Sequence, residues 1–541
     1  MHERSQDYLL PPGGGLWLAE VLSQGGWRFS EEPPRLASMR LLDSFDWGAY
    51  LAGGAIEERL EGGNRWLLWH DLTGDGAVLE QAIDEAPGLA RDLPPGPVRG
   101  PVLAAVGVRR LLPVVELEVA TQALRMLDEE DKTLVRLVVE EYRQGVQALH
   151  GTLSSRLRVL PLKGYEAEAG ALATWLAEDL GLGPAPRPLV LEALETGERP
   201  PGGYSSKLAY RLDPAQRAEA AAREILLGLL ATLEANILGT RENLDSEFLH
   251  DLRVATRRTR AALSQIPGVL PASVEEDFKA RFAWLQQVTG PVRDLDVYLL
   301  DFGTYQKSLP RAMGSDLEPL RAFILSHYAE EQERLVDALD SPAMATLLSD
   351  WRRTLTEPVA ADPEPVNAAR PVKELADERI WRMVRRVRKE GRAIDADSPA
   401  AEMHELRKSC KKLRYLMEFF QSLYPGQGIG GAIKLLKTLL DNLGSFQDLA
   451  VQADHLRDMA ARMHADGIAD TRALLAMGAL VADLLRRQEA AREAFAATFQ
   501  GFDSEQGRAL FRGLFRPRRE LDPQLGPGPT PDPQPDLGPV S

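Results

Sequence analysis

The sequence predicts a multidomain α+β protein in which a strand-rich segment precedes an all-α region built from a duplicated unit. Three observations predict this fold. The first 195 residues contain short apolar runs separated by Gly and Pro, whereas residues 213 to 511 have apolar positions spaced by three and four. In addition, two blocks of the helical region repeat each other at a fixed distance along the chain.

The net charge argues against a generic DNA-coating protein. The 541 residues contain 64 Lys and Arg against 80 Asp and Glu, which gives a formal net charge of −16. Non-specific DNA binding depends on a broad excess of Lys and Arg. A site for a polyanion in this chain must therefore be local.

The single cysteine, Cys410, cannot form an intramolecular disulfide, so we expect a cytoplasmic protein. The amino terminus lacks an apolar segment of signal-peptide length, and charged residues interrupt every apolar stretch well before the ~20 residues that a membrane span needs. We therefore predict no membrane partner.

The strand-rich segment is predicted to form a domain over residues 1–195. RWLLW at 65–69, PVVELEV at 113–119 and TLVRLVV at 133–139 are typical of strands, because they are short, rich in β-formers and bounded by turn residues. TGERPPGGYSSK follows, without apolar periodicity, and predicts a linker over residues 196–206.

The helical region is predicted to form two bundles that a second linker separates. TEPVAADPEPVNAARPVK contains prolines that stop a helix from crossing it. The carboxyl-terminal end is dominated by Pro, Gly and Asp, which predicts disorder. The predicted segments are a first bundle over 207–355, a linker over 356–373, a second bundle over 374–515 and a tail over 516–541.

Two blocks of the helical region match at a constant offset of 154 residues. EFLHDLRVATRRTRAAL, from Glu247, aligns with AEMHELRKSCKKLRYLM, from Ala401. GPVRDLDV, from Gly290, aligns with GSFQDLAV, from Gly444, at the same offset. An offset held without a gap across both blocks indicates an internal duplication.

Each copy of the first block has an apolar face and a basic face on a helix. The apolar faces, which we expect in the core, contain Leu249, Leu252, Thr256, Thr259 and Leu263 in one copy and Met403, Leu406, Cys410, Leu413 and Met417 in the other. The basic faces lie about 100° away and each begins with a histidine. Like charges at i and i+4 repel, so two matching basic stripes favour an anionic ligand.

A single basic stripe is most simply a solvated helix face, and each histidine is most simply bonded to a nearby Asp. Two matching stripes favour a site, and few aromatic residues accompany them, which favours phosphates over bases. The cluster at 382–392 has no basic counterpart in the first copy, so we expect an asymmetric site. The residues predicted to bind phosphate are His250, Arg253, Arg257, Arg258, Arg260, Arg293, Arg382, Arg385, Arg386, Lys389, His404, Arg407, Lys408, Lys411, Lys412, Arg414, Lys434 and Lys437.

These motifs resemble the CHAD domain, the conserved histidine α-helical domain. The first copy supplies His250-x-x-Arg253-x-x-x-Arg257-Arg258-x-Arg260, and the second supplies His404-x-x-Arg407-Lys408 with Lys411-Lys412-x-Arg414. The resemblance covers roughly residues 207–510. It implies two pseudo-symmetric helical bundles around a basic channel or cleft that binds inorganic polyphosphate, often at polyphosphate granules. Gln447 departs from the pattern that Arg293 follows.

The first 200 residues are similar to the CYTH domain, the antiparallel β-barrel of the triphosphate tunnel enzymes. The similarity lies in MRLLDSFDWGAYLAGG, from Met39, and VVELEVATQALRMLDEEDKTLVRLVVEE, from Val114. It implies a degenerate barrel, because the chain has Asp7-Tyr8-Leu9-Leu10-Pro11 where that family carries Glu-x-Glu-x-Lys. Glu116 and Glu118 alternate on one strand, yet two such carboxylates alone make a poor metal site.

We therefore expect a polyphosphate-binding protein without catalytic residues, metal site or cofactor. The alternative is a metal-dependent triphosphatase in the amino-terminal domain, with the helical region as a tether. A third hypothesis, nucleic-acid binding by the same basic faces, is disfavoured by the acidic total and the low aromatic content.

Overall fold

The computed structural model describes residues 6–11, 14–73, 77–144, 153–357 and 362–517. The chain divides into two compact units between Ser206 and Lys207. The amino-terminal unit is α+β and the carboxyl-terminal unit is helical, so the predicted fold class is confirmed. The disorder expected for the tail over 516–541 lies outside the described residues, except for its first two positions.

The described part of the amino-terminal unit forms a nine-stranded antiparallel sheet with short helices. Its strands are β1 (Gln6–Leu10), β2 (Phe29–Glu31), β3 (Arg35–Asp43), β4 (Gly54–Glu61), β5 (Asn64–Asp71), β6 (Val78–Ile83), β7 (Leu112–Leu127), β8 (Thr133–Gln144) and β9 (Ser155–Pro161). Its helices are α1 (Gly14–Gln24), α2 (Gly48–Leu51), α3 (Arg99–Val106), α4 (Glu166–Glu178) and α5 (Leu189–Thr196).

The sheet is antiparallel, as expected, but it is not a closed barrel. The strand order is β1-β9-β8-β7-β3-β4-β5-β6, with β2 added to β7. Among the described residues no ladder joins β1 to β6, so both strands are edges. Buried side chains on both faces pack against helices, with α1 and α4 over the β8 and β9 end, α5 over the centre and α3 over the β4 and β5 end. This helical cover removes the apolar surface that closure of a barrel would otherwise bury.

The carboxyl-terminal unit consists of α-helices joined by short connections. Its helices are α6 (Ala218–Arg241), α7 (Ser246–Gln265), α8 (Ala272–Val288), α9 (Gly290–Ser308), α10 (Glu318–Leu339), α11 (Pro342–Thr356), α12 (Val372–Ala393), α13 (Ala400–Phe419), α14 (Gly426–Ala465), α15 (Thr471–Phe502) and α16 (Glu505–Phe515). Every described helix is too short or too polar to cross a lipid bilayer.

The helix boundaries repeat at the offset found in the sequence. α6, α7 and α8 begin 154 residues before α12, α13 and α14, and α7 and α13 also end 154 residues apart. One difference separates the copies, because α8 and α9 are two helices whereas α14 is continuous. Pro291 opens α9 and has no N–H to bond to the preceding turn, whereas its counterpart Ser445 does, so only the second copy continues as one helix.

Contacts between equivalent residues place a pseudo-twofold axis inside the helical unit. Arg217 forms an isolated antiparallel bridge with Pro371, its counterpart 154 residues later. The Tyr298 hydroxyl donates to the backbone oxygen of Gln452, again its counterpart, at 3.3 Å. A residue contacts its own equivalent only near a twofold axis. The two copies are therefore arranged face to face.

The two copies share their hydrophobic cores. One cluster of buried side chains includes residues of α6, α7 and α8 together with residues of α12, α13, α14 and α16. A second cluster joins α9 and α10 to the later part of α14 and to α15. The apolar faces of the two copies therefore pack against each other.

Candidate functional site

The predicted apolar faces of α7 and α13 are confirmed by burial. The five core positions predicted on α7 and the five on α13 are all buried, and Leu252, Leu406 and Cys410 are fully enclosed. Asp245 caps α7 by accepting a hydrogen bond from the backbone N–H of Glu247. Since the apolar stripe is anchored in the core, the basic stripe about 100° away is held in a fixed direction.

The basic stripes of α7 and α13 line one cleft in the helical unit. The cleft has a volume of about 900 Å³. Six cationic side chains line it, and His250, Tyr305 and Tyr415 accompany them. The cations are Arg257, Arg258, Arg407, Lys411, Arg414 and Arg487.

Carboxylates also line the cleft and neutralise part of this charge. They are Asp301, Glu418, Asp441 and Asp448, so six cations against four carboxylates leave a charge of +2 on the lining side chains. Asp448 accepts a hydrogen bond from Arg407 at 2.8 Å, which fixes the guanidinium at the wall. Asp448 therefore orients a basic side chain of the cleft.

Glu418 connects the two repeated helices at the cleft. It accepts from Arg414 on its own helix at 2.7 Å and from Arg258 on α7 at 3.1 Å. Its side chain is largely buried, so one carboxylate holds a guanidinium from each copy in place. Arg carries five donors, so the bond to Glu418 uses only part of the hydrogen-bonding capacity of the Arg414 guanidinium.

The surroundings of Lys411 disfavour its positive charge. Burial, followed by the charges of Arg407 and Arg257, lowers the pKa of its ammonium to about 8, although Asp448 opposes the shift. Arg257 is the counterpart of Lys411 in the first copy, so the two meet across the pseudo-twofold axis. An anion between them would relieve this repulsion.

Three predicted site residues are held outside the cleft by partners of their own. Arg253 donates to the backbone oxygen of Gln286 and to the Thr289 hydroxyl, both at 2.9 Å, and burial lowers its pKa to about 10. Arg293 donates to the backbone oxygen of Ser246 at 3.2 Å. The Nδ1 of His404 lies 3.1 Å from Oε1 of Gln447.

The histidine of the second copy therefore has an amide partner rather than the Asp that the sequence suggested. Gln447 stands at the position that Arg293 occupies in the first copy, so this single difference redirects the local hydrogen bonds. His250, by contrast, lines the cleft. The two histidines thus occupy unequal surroundings, as the expectation of an asymmetric site implies.

The remaining predicted residues lie on other surfaces. Lys408 and Lys412 are on the side of α13 that faces α12. Burial, and then the charges of Arg386 and Lys408, lower the pKa of the Lys412 ammonium. Arg382 and Arg386 are paired with carboxylates on their own helix. Among the described residues, none of the following lines the cleft: Arg260, Arg382, Arg385, Arg386, Lys389, Lys408, Lys412, Lys434 and Lys437.

Sequence reasoning missed Arg487 of α15. It lines the cleft beside Asp301 and Tyr305. Burial raises the pKa of both side chains, and the positive charge of Arg487 opposes this shift in each. Its counterpart in the first copy is Glu333, so the repeat gave no signal for it. Only the packing of α15 against the other helices brings this arginine to the cleft.

The amino-terminal unit contains a second polar network, on the sheet face that α5 covers. Arg59 pairs with Glu57 at 2.9 Å and with Glu140 at 3.4 Å. Nε2 of His70 lies 2.9 Å from Glu57, and these partners lower the pKa of Glu57 despite its burial. Arg158 links Glu140 to Asp7 of β1 at 3.6 and 3.2 Å. Each of these carboxylates therefore already has a cationic partner.

Glu116 and Glu118 do not join this network. Their strand β7 places them on the opposite sheet face, where they line a 370 Å³ depression together with Arg40, Glu58 and Arg65. Glu58 is bound by both arginines. In the part of the chain that the structure describes, no group of three or more His, Cys, Asp or Glu side chains is placed to hold a metal ion.

Comparison with known families identifies the helical region. Residues 224–457 match the family model of the CHAD domain. The chain contains a CHAD domain. The matched segment begins inside α6 and ends inside α14, so it includes both repeated helices and every cation of the cleft except Arg487. No curated protein matches the chain.

Solved structures similar to the chain include two that cover about half of it. The crystal structure of the CHAD domain from the plant Ricinus communis is 24% identical, with a TM-score of 0.45, and covers 54% of this chain and 94% of its own. PptA from Streptomyces chartreusis is 18% identical, with a TM-score of 0.42, and covers 53% and 100%. A candidate adenylyl cyclase from Hippeastrum, described as having a dominant triphosphatase activity, is 16% identical, with a TM-score of 0.24, and covers 32% and 86%.

Proposed function

We propose that the cleft of the CHAD domain binds inorganic polyphosphate. The observation that carries this proposal is the convergence in one cleft of Arg257 with its counterpart Lys411 from the second copy, together with Arg407. Burial, and then the charges of Arg407 and Arg257, lower the pKa of the Lys411 ammonium, so the site favours an anion. Guanidinium groups bind phosphate oxygens by paired hydrogen bonds, and an ammonium group adds a mobile charge.

The side chains that line the cleft support a chain of phosphates as its ligand over a nucleic acid, because few of them are aromatic. Two aromatic side chains, Tyr305 and Tyr415, are among its lining residues, and burial raises the pKa of the Tyr305 hydroxyl. Single-stranded nucleic acids depend on stacking of successive bases for much of their affinity. A linear polyphosphate needs charge and hydrogen-bond donors alone, which the cleft supplies.

Titration of long-chain polyphosphate at two salt concentrations tests this function. The variant Arg257→Glu/Lys411→Glu reverses two charges in the cleft, and Arg321→Glu/Arg334→Glu makes the same charge change on α10, which does not line it. We expect the first variant to lose binding and the second to bind like wild type. Binding of wild type should weaken as salt rises, because bound phosphates release counterions. Equal affinity of both variants would refute the proposal.

Competition separates polyphosphate from nucleic acid. Bound polyphosphate should resist displacement by RNA at equal phosphate concentration.

In cells, we propose that this binding places the protein at polyphosphate granules. A fluorescent fusion of wild type should then localise with the granules, and the Arg257→Glu/Lys411→Glu fusion should be diffuse.

We propose no triphosphatase reaction for the amino-terminal unit. Three carboxylates lie on the sheet face that α5 covers: Asp7, Glu57 and Glu140. All three are ion-paired with arginines, so they are poor ligands for a divalent metal. A phosphate-release assay with tripolyphosphate and Mg²⁺ or Mn²⁺ tests this statement. Turnover that Glu116→Gln abolishes would establish the enzymatic alternative instead.

A further inference from the structure

A second basic concavity lies on α12 and α16, apart from the cleft. It has a volume of about 600 Å³ and shares no lining residue with the cleft. Five cationic side chains line it, and among the described residues that do so there is no carboxylate. The cations are Arg385, Arg388, Lys389, Arg392 and Arg512. Its lining charge of +5 exceeds the +2 of the cleft.

One carboxylate lies beside the concavity without lining it and offsets one of the five positive charges. The carboxylate of Asp503 lies 2.7 Å from Arg392, 3.3 Å from Arg388 and 3.8 Å from Arg508. Three guanidiniums thus converge on a single acid, which leaves most of their charge unmatched. Arg388 is buried against Phe511, and its Nη2 has no hydrogen-bond partner among the described residues.

Three of the cations that line the concavity stand along one side of α12. Arg385, Lys389 and Arg392 follow each other at i, i+4 and i+7, so they lie on one face over about 10 Å of helix. Like charges at this spacing repel unless an anion lies along them. Several linked phosphate groups fit such a row better than one small anion.

Cations on α13 connect the concavity with the cleft. Arg407, Lys411 and Arg414 face the cleft, whereas Lys408 and Lys412 face α12. Arg386 is close enough to Lys412 to lower the pKa of its ammonium. Basic side chains therefore continue round α13 from one concavity toward the other.

We propose that the concavity on α12 and α16 is a second polyphosphate site, which one long chain occupies together with the cleft. This inference rests on the proposed function of the cleft. When one chain occupies both sites, its second binding step is intramolecular. The effective concentration of the tethered chain at the second site then raises the overall affinity. Short chains bind the two sites independently and gain nothing from their linkage.

Calorimetric titration with tripolyphosphate and with long-chain polyphosphate tests the second site. The variant Lys389→Glu/Arg512→Glu changes two exposed residues of the concavity, and Arg257→Glu/Lys411→Glu changes the cleft. The control is Arg321→Glu/Arg334→Glu, with the same charge change, and circular dichroism verifies the folding of all three. We expect wild type and control to bind two molecules of tripolyphosphate, and each site variant to bind one.

The long chain provides the second readout. Loss of the concavity should weaken long-chain binding at least about tenfold, because linked sites gain 10²-fold or more from effective concentration. If Lys389→Glu/Arg512→Glu binds both ligands like the control, the second site is refuted and the cleft stands. If Arg257→Glu/Lys411→Glu binds like the control while the concavity variant loses tripolyphosphate, the proposed function of the cleft fails and the second site stands. Displacement of tripolyphosphate from the concavity by RNA would refute its assignment to polyphosphate.

Discussion

Polyphosphate binding should depend on pH through a single lysine. The ammonium of Lys411 has a pKa of about 8 because burial and the neighbouring cations Arg407 and Arg257 oppose its charge. Asp448 is the one group that acts in the other direction among those contributing to this shift. Bound phosphates would supply the missing counter-charge and raise this pKa toward its ordinary value of 10.5.

The sign and size of the effect follow from proton linkage. Since the bound state holds the proton more tightly, affinity is fully present below the free pKa of about 8 and falls as the pH rises above it. If the bound pKa reaches its ordinary value, affinity at a pH of about 9 is about tenfold weaker than at neutral pH, or about 1.4 kcal/mol.

Lys411→Arg isolates this contribution, because a guanidinium stays charged throughout the range. Calorimetric titrations of wild type and variant at neutral pH and at a pH of about 9 give both affinities, and titrations in buffers of different ionisation enthalpy count the protons taken up. The variant should lose the tenfold dependence, whereas the exposed-site control Lys307→Arg should keep it. A wild type with equal affinity at both pH values, or a variant with the same decline, would refute the reasoning.

Four further outcomes are expected. Glu418→Gln frees two guanidiniums, so polyphosphate affinity should rise by about threefold while the free energy of unfolding falls by about 1 kcal/mol in chemical denaturation. Burial raises the pKa of Asp296 to about 7, so this carboxyl should lower the free energy of unfolding by no more than about 4 kcal/mol as pH rises from 4 to 7, and Asp296→Asn should remove that contribution. Arg59→Met leaves buried carboxylates with fewer partners and should destabilise the amino-terminal unit by about 3 kcal/mol, measured as an earlier calorimetric transition. Cys410 is buried and the pKa of its thiol is raised, so thiol reagents should label it only in denaturant; labelling of the native protein would contradict its placement in the core.

The repeat made much of the helical fold predictable. Helical periodicity separates the core face of α7, with Leu252, from its basic face, with Arg257, and the structure confirms this division. The offset also located the equivalent helix of the second copy. Helical periodicity does not show which helix packs against each apolar face, so it did not predict that the two copies share a core.

The amino-terminal unit shows a different limit. Short apolar runs bounded by turn residues indicated strands, and the antiparallel sheet is present. The open edges at β1 and β6 and the side of the sheet on which Glu116 lies depend on strand order and register. Pairing between strands that are distant in sequence depends on the whole sheet. The local residue pattern therefore predicts neither which strands form the edges nor the sheet face on which Glu116 lies.

The sequence by itself determined the duplication, the two core faces and the direction of the basic stripes, because all three depend on spacing within single helices. The tertiary structure decided which cations converge. Arg253 and Arg293 became bound to neighbouring backbone, whereas Arg487, without any signal from the repeat, reached the cleft. The physical reason is that the sequence shows which side chains are charged. Whether a charged side chain can bind a ligand depends on the partners that it contacts on helices far apart in the chain.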